Sequence, residues 1–254
     1  MFLLAQGIFG HDTSSLRFDV GEIKIDSSNS VPDYEFVDGR LRIINIDLKG
    51  LIQLAMFGTV RGARPVFGPA VLDTVRVDVI AKAESPATSI PDARAMLLNL
   101  LKDRMQLKFH FENREMPAYA LIRNGANFEM PESQGPPGQC DASSTLVQVP
   151  KEDLIAGVPE LLQAKNRPHY KLDCRNVSMA ELAIRLSMYS DQPVVDQTDS
   201  AGLRTFMLDF EPSKNSPDAA LGRAVSGLGL KVRPSRFPVP VLVVDSVAAK
   251  PTVE

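Results

Sequence analysis

Tryptophan is absent from this 254-residue chain, cysteine occurs twice and histidine three times, and neither sign of charge prevails. With 28 Lys and Arg against 31 Asp and Glu the net charge is -3, so no broad field attracts nucleic acid or an anionic membrane. No run approaches the roughly 18 apolar residues of a membrane span, and no integral membrane segment is expected. The histidines, His11, His110 and His169, lie far apart in sequence. None sits in an H-E-x-x-H or similar spacing that puts two ligands on one face, so no metal site is expected. No serine occupies a G-x-S-x-G elbow, and neither phosphate-cradling glycine pattern is present. These gaps predict no catalytic residue and no cofactor.

Three weaker candidates remain. His110 alternates with Phe109 and Phe111 and so shares a strand face with Lys108 and Glu112. Glu112 is the right type to orient an imidazole in acid–base work, but an exposed charge cluster on a strand accounts for the same residues. Arg61-Gly62-Ala63-Arg64 is a small basic segment, read as a solvated loop. Ser226-Gly227 and Leu228-Gly229 read as a helix end in left-handed geometry rather than as a nucleophile turn.

What the chain does have is an ordinary soluble balance, 44% hydrophobic and 23% charged, with 19 prolines that suit many short elements joined by turns. Its first stretch, Met1-Phe2-Leu3-Leu4-Ala5-Gln6-Gly7, is apolar without a basic leader; it reads as the end of a signal peptide or as a frayed strand.

An internal repeat organises the rest. Arg40 to Leu48 matches Lys171 to Met179, each a short strand running into a helix, with Asp47 and Ser178 at the N-cap. Ser178 and Glu181 also make a capping box. The helices that follow carry matching stripes, Leu48, Leu51, Ile52 and Ala55 against Met179, Leu182, Ala183 and Leu186. A strand comes next, Val75–Val79 or Phe206–Phe210. A second helix follows, with Ala93, Met96, Leu97, Leu100 and Leu101 in one copy and Leu221, Ala224, Val225 and Leu228 in the other. Pro91 and Pro217 mark the helix starts. A hairpin is expected to close each copy, Leu107–Phe111 with Pro117–Ile122 and Leu230–Arg233 with Pro240–Val244.

The predicted fold class is therefore α+β, in two tandem diverged copies of a small strand–helix–strand–helix–hairpin unit. The segments are 1–15 (signal-peptide remnant), 16–123 (first copy, with Phe18–Ile25 as an opening strand), 124–169 (Pro/Gly-rich connection), 170–247 (second copy) and 248–254 (loose tail). Within the connection, Lys151–Lys165 has a weak helical pattern interrupted by Pro159.

Several of these stretches carry a resemblance. Phe18–Lys24, Arg94–Arg104, Glu112–Leu121, Pro193–Thr198 and Val241–Val247 are similar to segments of a family of exported proteins of unknown function from soil bacteria of the acidobacterial type, the soil-associated proteins. The chain departs from that pattern in lacking a Trp near Val71 and in having Gly202-Leu203-Arg204 where relatives tend to have Gly-Arg-Tyr. The second copy also resembles the short N-terminal domain of secretins and TonB-dependent receptors. These resemblances imply export, a secreted or periplasmic location, and a non-catalytic module that binds an envelope protein or peptide. Some relatives follow an M56-type membrane metallopeptidase, which makes a regulatory ectodomain the first alternative. A hydrolase with its site at the cleft between copies is the second. Two cysteines permit either one disulfide or two buried thiols. If the chain is exported, Cys140 and Cys174 are expected to be bonded. The closing strands, Pro117–Ile122 and Pro240–Val244, are either covered by the opening strand Phe18–Ile25 or by the other copy, or are edges for strand addition by a partner.

Overall fold

The computed structural model of the chain describes residues 13–28, 30–58, 65–125, 128, 130–148, 166–211 and 217–252. His11, the Arg61–Arg64 segment, Lys151–Lys165 and nearly all of the expected 1–15 segment lie outside the described residues. Among the described residues the architecture is mixed, mostly strand, with five helices. Among the described residues no helix is long and apolar enough to cross a membrane.

The chain divides into two compact units, but not at the expected boundaries. One comprises residues 1–113 and 240–254, the other residues 114–239. The boundaries fall inside two long strands, β6 (Lys108–Arg123) and β11 (Leu230–Ser246). The hairpins expected at these places are absent. Residues 112–116, Glu-Asn-Arg-Glu-Met, hold no Gly to follow Asn113 in a two-residue hairpin turn, so the strand runs on instead of folding back. In the second case Pro234 and Pro238 bend nothing back either, since Pro fits extended backbone.

Unit 1 is built on a four-stranded antiparallel sheet in the order β1-β5-β3-β2, from β1 (Val20–Ile25), β2 (Asp33–Val37), β3 (Arg40–Asp47) and β5 (Arg76–Lys82). Alternation puts Leu41, Ile43, Val77, Val79 and Ala81 on the face that packs against α1 (Leu48–Phe57) and α3 (Ile90–Met105). Helix α1 starts where Asp47 accepts from the Gly50 N–H (2.7 Å) and stops at Gly58, whose φ of 75° suits a left-handed cap. It was expected to bury one stripe, yet it is buried on almost every side, from Leu48 through Met56, against α3, β3 and the short α2 (Val71–Thr74). Each fully buried Leu or Ile there contributes about 1.5–3 kcal/mol. In α3, buried Asn99 donates from Nδ2 to the carbonyls of Thr13 and Leu16, both at 2.9 Å, and so anchors the described start of the chain. The tail expected to be loose is also held, with Ala248 N–H donating to Met105 O (2.7 Å) and Thr252 N–H to Arg104 O (2.8 Å). Within this unit Leu242 and Val243 of β11 pair in parallel with Val66 and Phe67 of β4 (Val66–Phe67).

Unit 2 contains a three-stranded antiparallel sheet, β10-β8-β7, from β7 (Cys140–Gln148), β8 (Asn166–Val177) and β10 (Arg204–Phe210). The region expected to be a connection thus supplies a strand of its own, β7, and the start of another. Helices α4 (Met179–Ser187) and α5 (Pro217–Ser226) complete it, with Ser178 capping α4 by accepting from the Glu181 N–H at 3.1 Å. Gly229 takes a φ of 68° after α5, the left-handed geometry expected of that Leu-Gly. Tyr119, Ala120 and Leu121 of β6 pair in parallel with β9 (Val194–Asp196). Tyr170, Tyr189 and Phe210 form a three-ring cluster with centroids 4.7–6.0 Å apart.

Candidate functional site

Cys140 and Cys174 stand directly opposite one another on β7 and β8 and are joined by a disulfide. One register step along, Asp141 faces Asp173, a like-charged pair. Arg175 offsets it, donating from Nη2 to Asp173 at 3.0 Å, and this hydrogen bond holds the Asp173 carboxyl below its ordinary range.

The two described histidines belong to different units and different clusters. His110, in unit 1, meets Asp245 (Nδ1–Oδ1, 2.9 Å) and Glu112 (Nε2–Oε2, 3.6 Å) on a strand face where all three side chains are about half-exposed. The sequence picked out His110 and Glu112, and missed Asp245 because its neighbour on the sheet is set by β11 rather than by a hairpin. His169, in unit 2, meets Asp209 and Glu211. Each arrangement can hold an imidazolium between carboxylates. Among the described residues no group of three or more His, Cys, Asp and Glu is placed to hold a metal ion.

The edges proposed from sequence as docking strands are occupied. In the strand order β4-β11-β6-β9, β6 and β11 are interior strands, with β9 beside Tyr119–Leu121 and β4 beside Leu242–Val243. Strand addition at those positions is excluded.

Among the described residues the outermost strands are β1 and β2 in the first sheet, β10 and β7 in the second, and β4 and β9 in the third, and it is the sheet of unit 1 that has grooves beside its outer strands. Three grooves border that sheet, and none is lined by a histidine. One, of about 480 Å³, lies on the face away from the helices, where Val20, Ile80 and Val37 sit among Arg40, Arg42 and Lys82. Another, of about 590 Å³, follows β1 past Arg104 and Lys250. The third, of about 290 Å³, runs between β2 and the helices and is lined by Tyr34, Phe36, Leu54, Ile90, Ala93 and Leu97, with Glu35 and Arg94 at its border.

Local sequence explains how this third groove is held. Asp38 and Gly39 both have positive φ, 49° and 71°, the two-residue turn that joins β2 to β3. A side chain at position 39 would meet Ser85 O at 2.6 Å, so only Gly fits. The Asp-Gly signal was present in the sequence between two alternating runs, yet β2 went unrecognised there. On the helix side, Ser89 accepts from the Asp92 N–H (3.2 Å) to start α3, leaving Ile90 two-thirds exposed at the groove mouth. Arg94 donates from Nη2 to Met56 O (2.5 Å), tying α3 to the end of α1.

No curated protein and no solved structure matches the chain. A family model described as "Protein of unknown function (DUF3738)" matches residues 49–247, most of the chain, and the chain belongs to that family.

Proposed function

We propose that this protein is an exported, non-catalytic binding module of the cell envelope, secreted or periplasmic, that holds another protein or a peptide. The observation that carries the reading is the apolar groove beside an open sheet edge in unit 1: backbone groups and apolar side chains are offered together, which is what protein recognition uses. The disulfide between Cys140 and Cys174 supports export, because such bonds persist in oxidising compartments. The two histidine clusters lie on strand faces outside all three grooves, which suits surface ion pairs better than a reaction centre.

We also infer that the two units descend from one repeated element. Asn45 and Asn176, matched by the sequence repeat, both take the left-handed conformation (φ 52° and 51°) two residues before an N-cap, and each sits at a register shift in its sheet. Few non-Gly residues do this, and apolar patterning does not require it. The matched closing strands behave reciprocally: Leu242–Val243 pairs with the short strand of unit 1, and Tyr119–Ala120 with that of unit 2. On this reading the expected hairpins are exchanged between copies. The likeness of the second copy to a docking domain of secretins and TonB-dependent receptors fits a binding role.

Affinity capture tests the function. The full chain, immobilised, is exposed to envelope extract of the producing bacterium, and to generic esterase, peptidase and glycosidase substrates. The expected result is stoichiometric retention of a discrete envelope protein, displaced by free chain, with no turnover. Turnover, or no displaceable retention, overturns the reading.

A further inference from the structure

We propose that β2 is the docking edge, and that it takes an extended protein segment of alternating apolar and basic residues as a fifth strand of the unit 1 sheet. The inference rests on the binding-module reading and gives that function a site and a partner chemistry.

Strand β2 is outermost in the order β1-β5-β3-β2, and its pairing with β3 uses one side only. Successive residues of an antiparallel strand turn their N–H and C=O groups alternately to one neighbour and the other, so the outer side of Asp33–Val37 presents donors and acceptors to whatever lies there. Five residues of β2 set the length of a matching segment at about five.

Side-chain alternation then dictates what that segment carries. Tyr34 and Phe36 stand opposite Ile43 and Leu41, whose side chains face the helices, so these two rings line the groove. Tyr34 is 49% and Ile90 66% exposed, and the two flank the same cavity. Every second residue of an added strand would project into this groove and cover them, and its volume of about 290 Å³ suits aliphatic side chains rather than a cofactor.

The other face of β2 sets the charge. Asp33, Glu35 and Val37 stand opposite Ile44, Arg42 and Arg40. Arg42 is engaged with Asp33 at 3.0 Å, while Glu35 has no ion pair among the described residues, and Asp38 follows in the turn. An added strand places its intervening side chains directly beside Glu35, where opposite charge stabilises and like charge does not. Lys or Arg at those positions complements the edge; Asp or Glu opposes it. An edge protected from aggregation by charge would show the same carboxylates, but it would not also expose Tyr34 and Ile90 over a cavity.

The test uses two fluorescein-labelled probes, acetylated and amidated at their ends: Lys-Leu-Lys-Val-Lys-Leu-Lys and its counterpart with every Lys replaced by Glu. Binding to the full chain is read by anisotropy, and amide hydrogen exchange locates the site. The basic probe is expected to bind at least tenfold tighter than the acidic one. Replacing its central Val by Pro should abolish binding by removing a backbone donor. Glu35→Lys should weaken the basic probe at least tenfold, and Ile90→Asp severalfold. Both changes are at solvent-accessible positions, and unchanged circular dichroism verifies the fold. Protection should rise at Asp33–Val37 and not at β1. The proposal is overturned by absence of binding, by equal or better binding of the acidic probe, or by indifference to Glu35→Lys. Protection, in the free chain, of the β2 amides that do not bond to β3 overturns it too, whether a segment of the same chain or a second copy covers the edge. Envelope retention that survives Glu35→Lys sinks this site and leaves the binding-module reading standing.

Discussion

Unit 1 and unit 2 each join an antiparallel sheet to helices and are stabilised by different means. In unit 1 the described core is aliphatic, centred on α1 and on Leu97 and Leu101 of the 16-residue α3. In unit 2 the helices run 9 and 10 residues, and the core draws on the Tyr170–Tyr189–Phe210 cluster and on the bonded Cys140 and Cys174. The left-handed asparagine differs in the same sense. Asn45 is buried, with its N–H on Asp78 and both of its oxygens accepting from Arg76. Asn176 is held by Thr205 near the surface. A unit with one long helix packed on a second, almost wholly buried one can rely on packing; one whose two helices are both short gains from a covalent tie and fitted rings.

The largest effect expected from this contrast comes from the disulfide. Joining residues 34 apart stabilises by about 3–4 kcal/mol in the chain-entropy model. Cys140→Ala with Cys174→Ala should cost that amount in urea unfolding, with amide protection falling first in β7, β8 and β10. If α1 and α3 lose protection equally, the two units do not rest on separate supports.

The asparagines come next. Asn45→Ala should destabilise by about 2–4 kcal/mol, because it combines left-handed strain with buried partners left unpaired. Asn176→Ala should cost about 1 kcal/mol. Equal losses would remove the distinction between a buried and a surface bulge. Asp47→Ala and Ser178→Ala, by contrast, should cost about 1 kcal/mol each, since both caps make the same bond. A large inequality there would sharpen the contrast in favour of unit 1.

The smallest effect concerns Tyr189. Burial raises its hydroxyl pKa above the usual range, reinforced by Tyr170 and opposed by Arg185. Its preference for the neutral form contributes stability that is fully present below the unfolded pKa of about 10 and is lost as pH rises through the raised folded value. An ultraviolet titration should contain a high-pH tyrosinate step that vanishes in Tyr189→Phe; a step unaffected by that change would place the shift elsewhere.

Sequence periodicity located the elements whose signals are local. Asp47 and Ser178 mark true helix starts, and the apolar alternation of β5 is visible in residues 76–82. What it missed was decided by partners distant along the chain. Leu107–Phe111 and Pro117–Ile122 read as two strands because a short polar stretch separates them, yet both belong to β6, which finds β11 beside it instead of itself. Strand β7 was hidden in a polar region, Asp-Ala-Ser-Ser-Thr, whose exposed side chains give no alternation to read. The groove beside β2 depends on α3 and on the Asp38-Gly39 turn; the turn is a local sequence signal, whereas the interior position of β6 and β11 is not.

The crossing of the chain inside β6 and β11 has a bearing on folding. Residues 240–254 belong to the same unit as residues 1–113, so unit 1 is discontinuous and unit 2 is enclosed between its parts along the chain. Unit 2 can gather its sequence from one continuous stretch. Closure of unit 1 is a contact of very long sequence separation, the kind that slows folding. Until β11 arrives, unit 1 lacks the Leu242–Val243 pairing to β4 and the buried Leu242 and Val244, and its core stays incomplete.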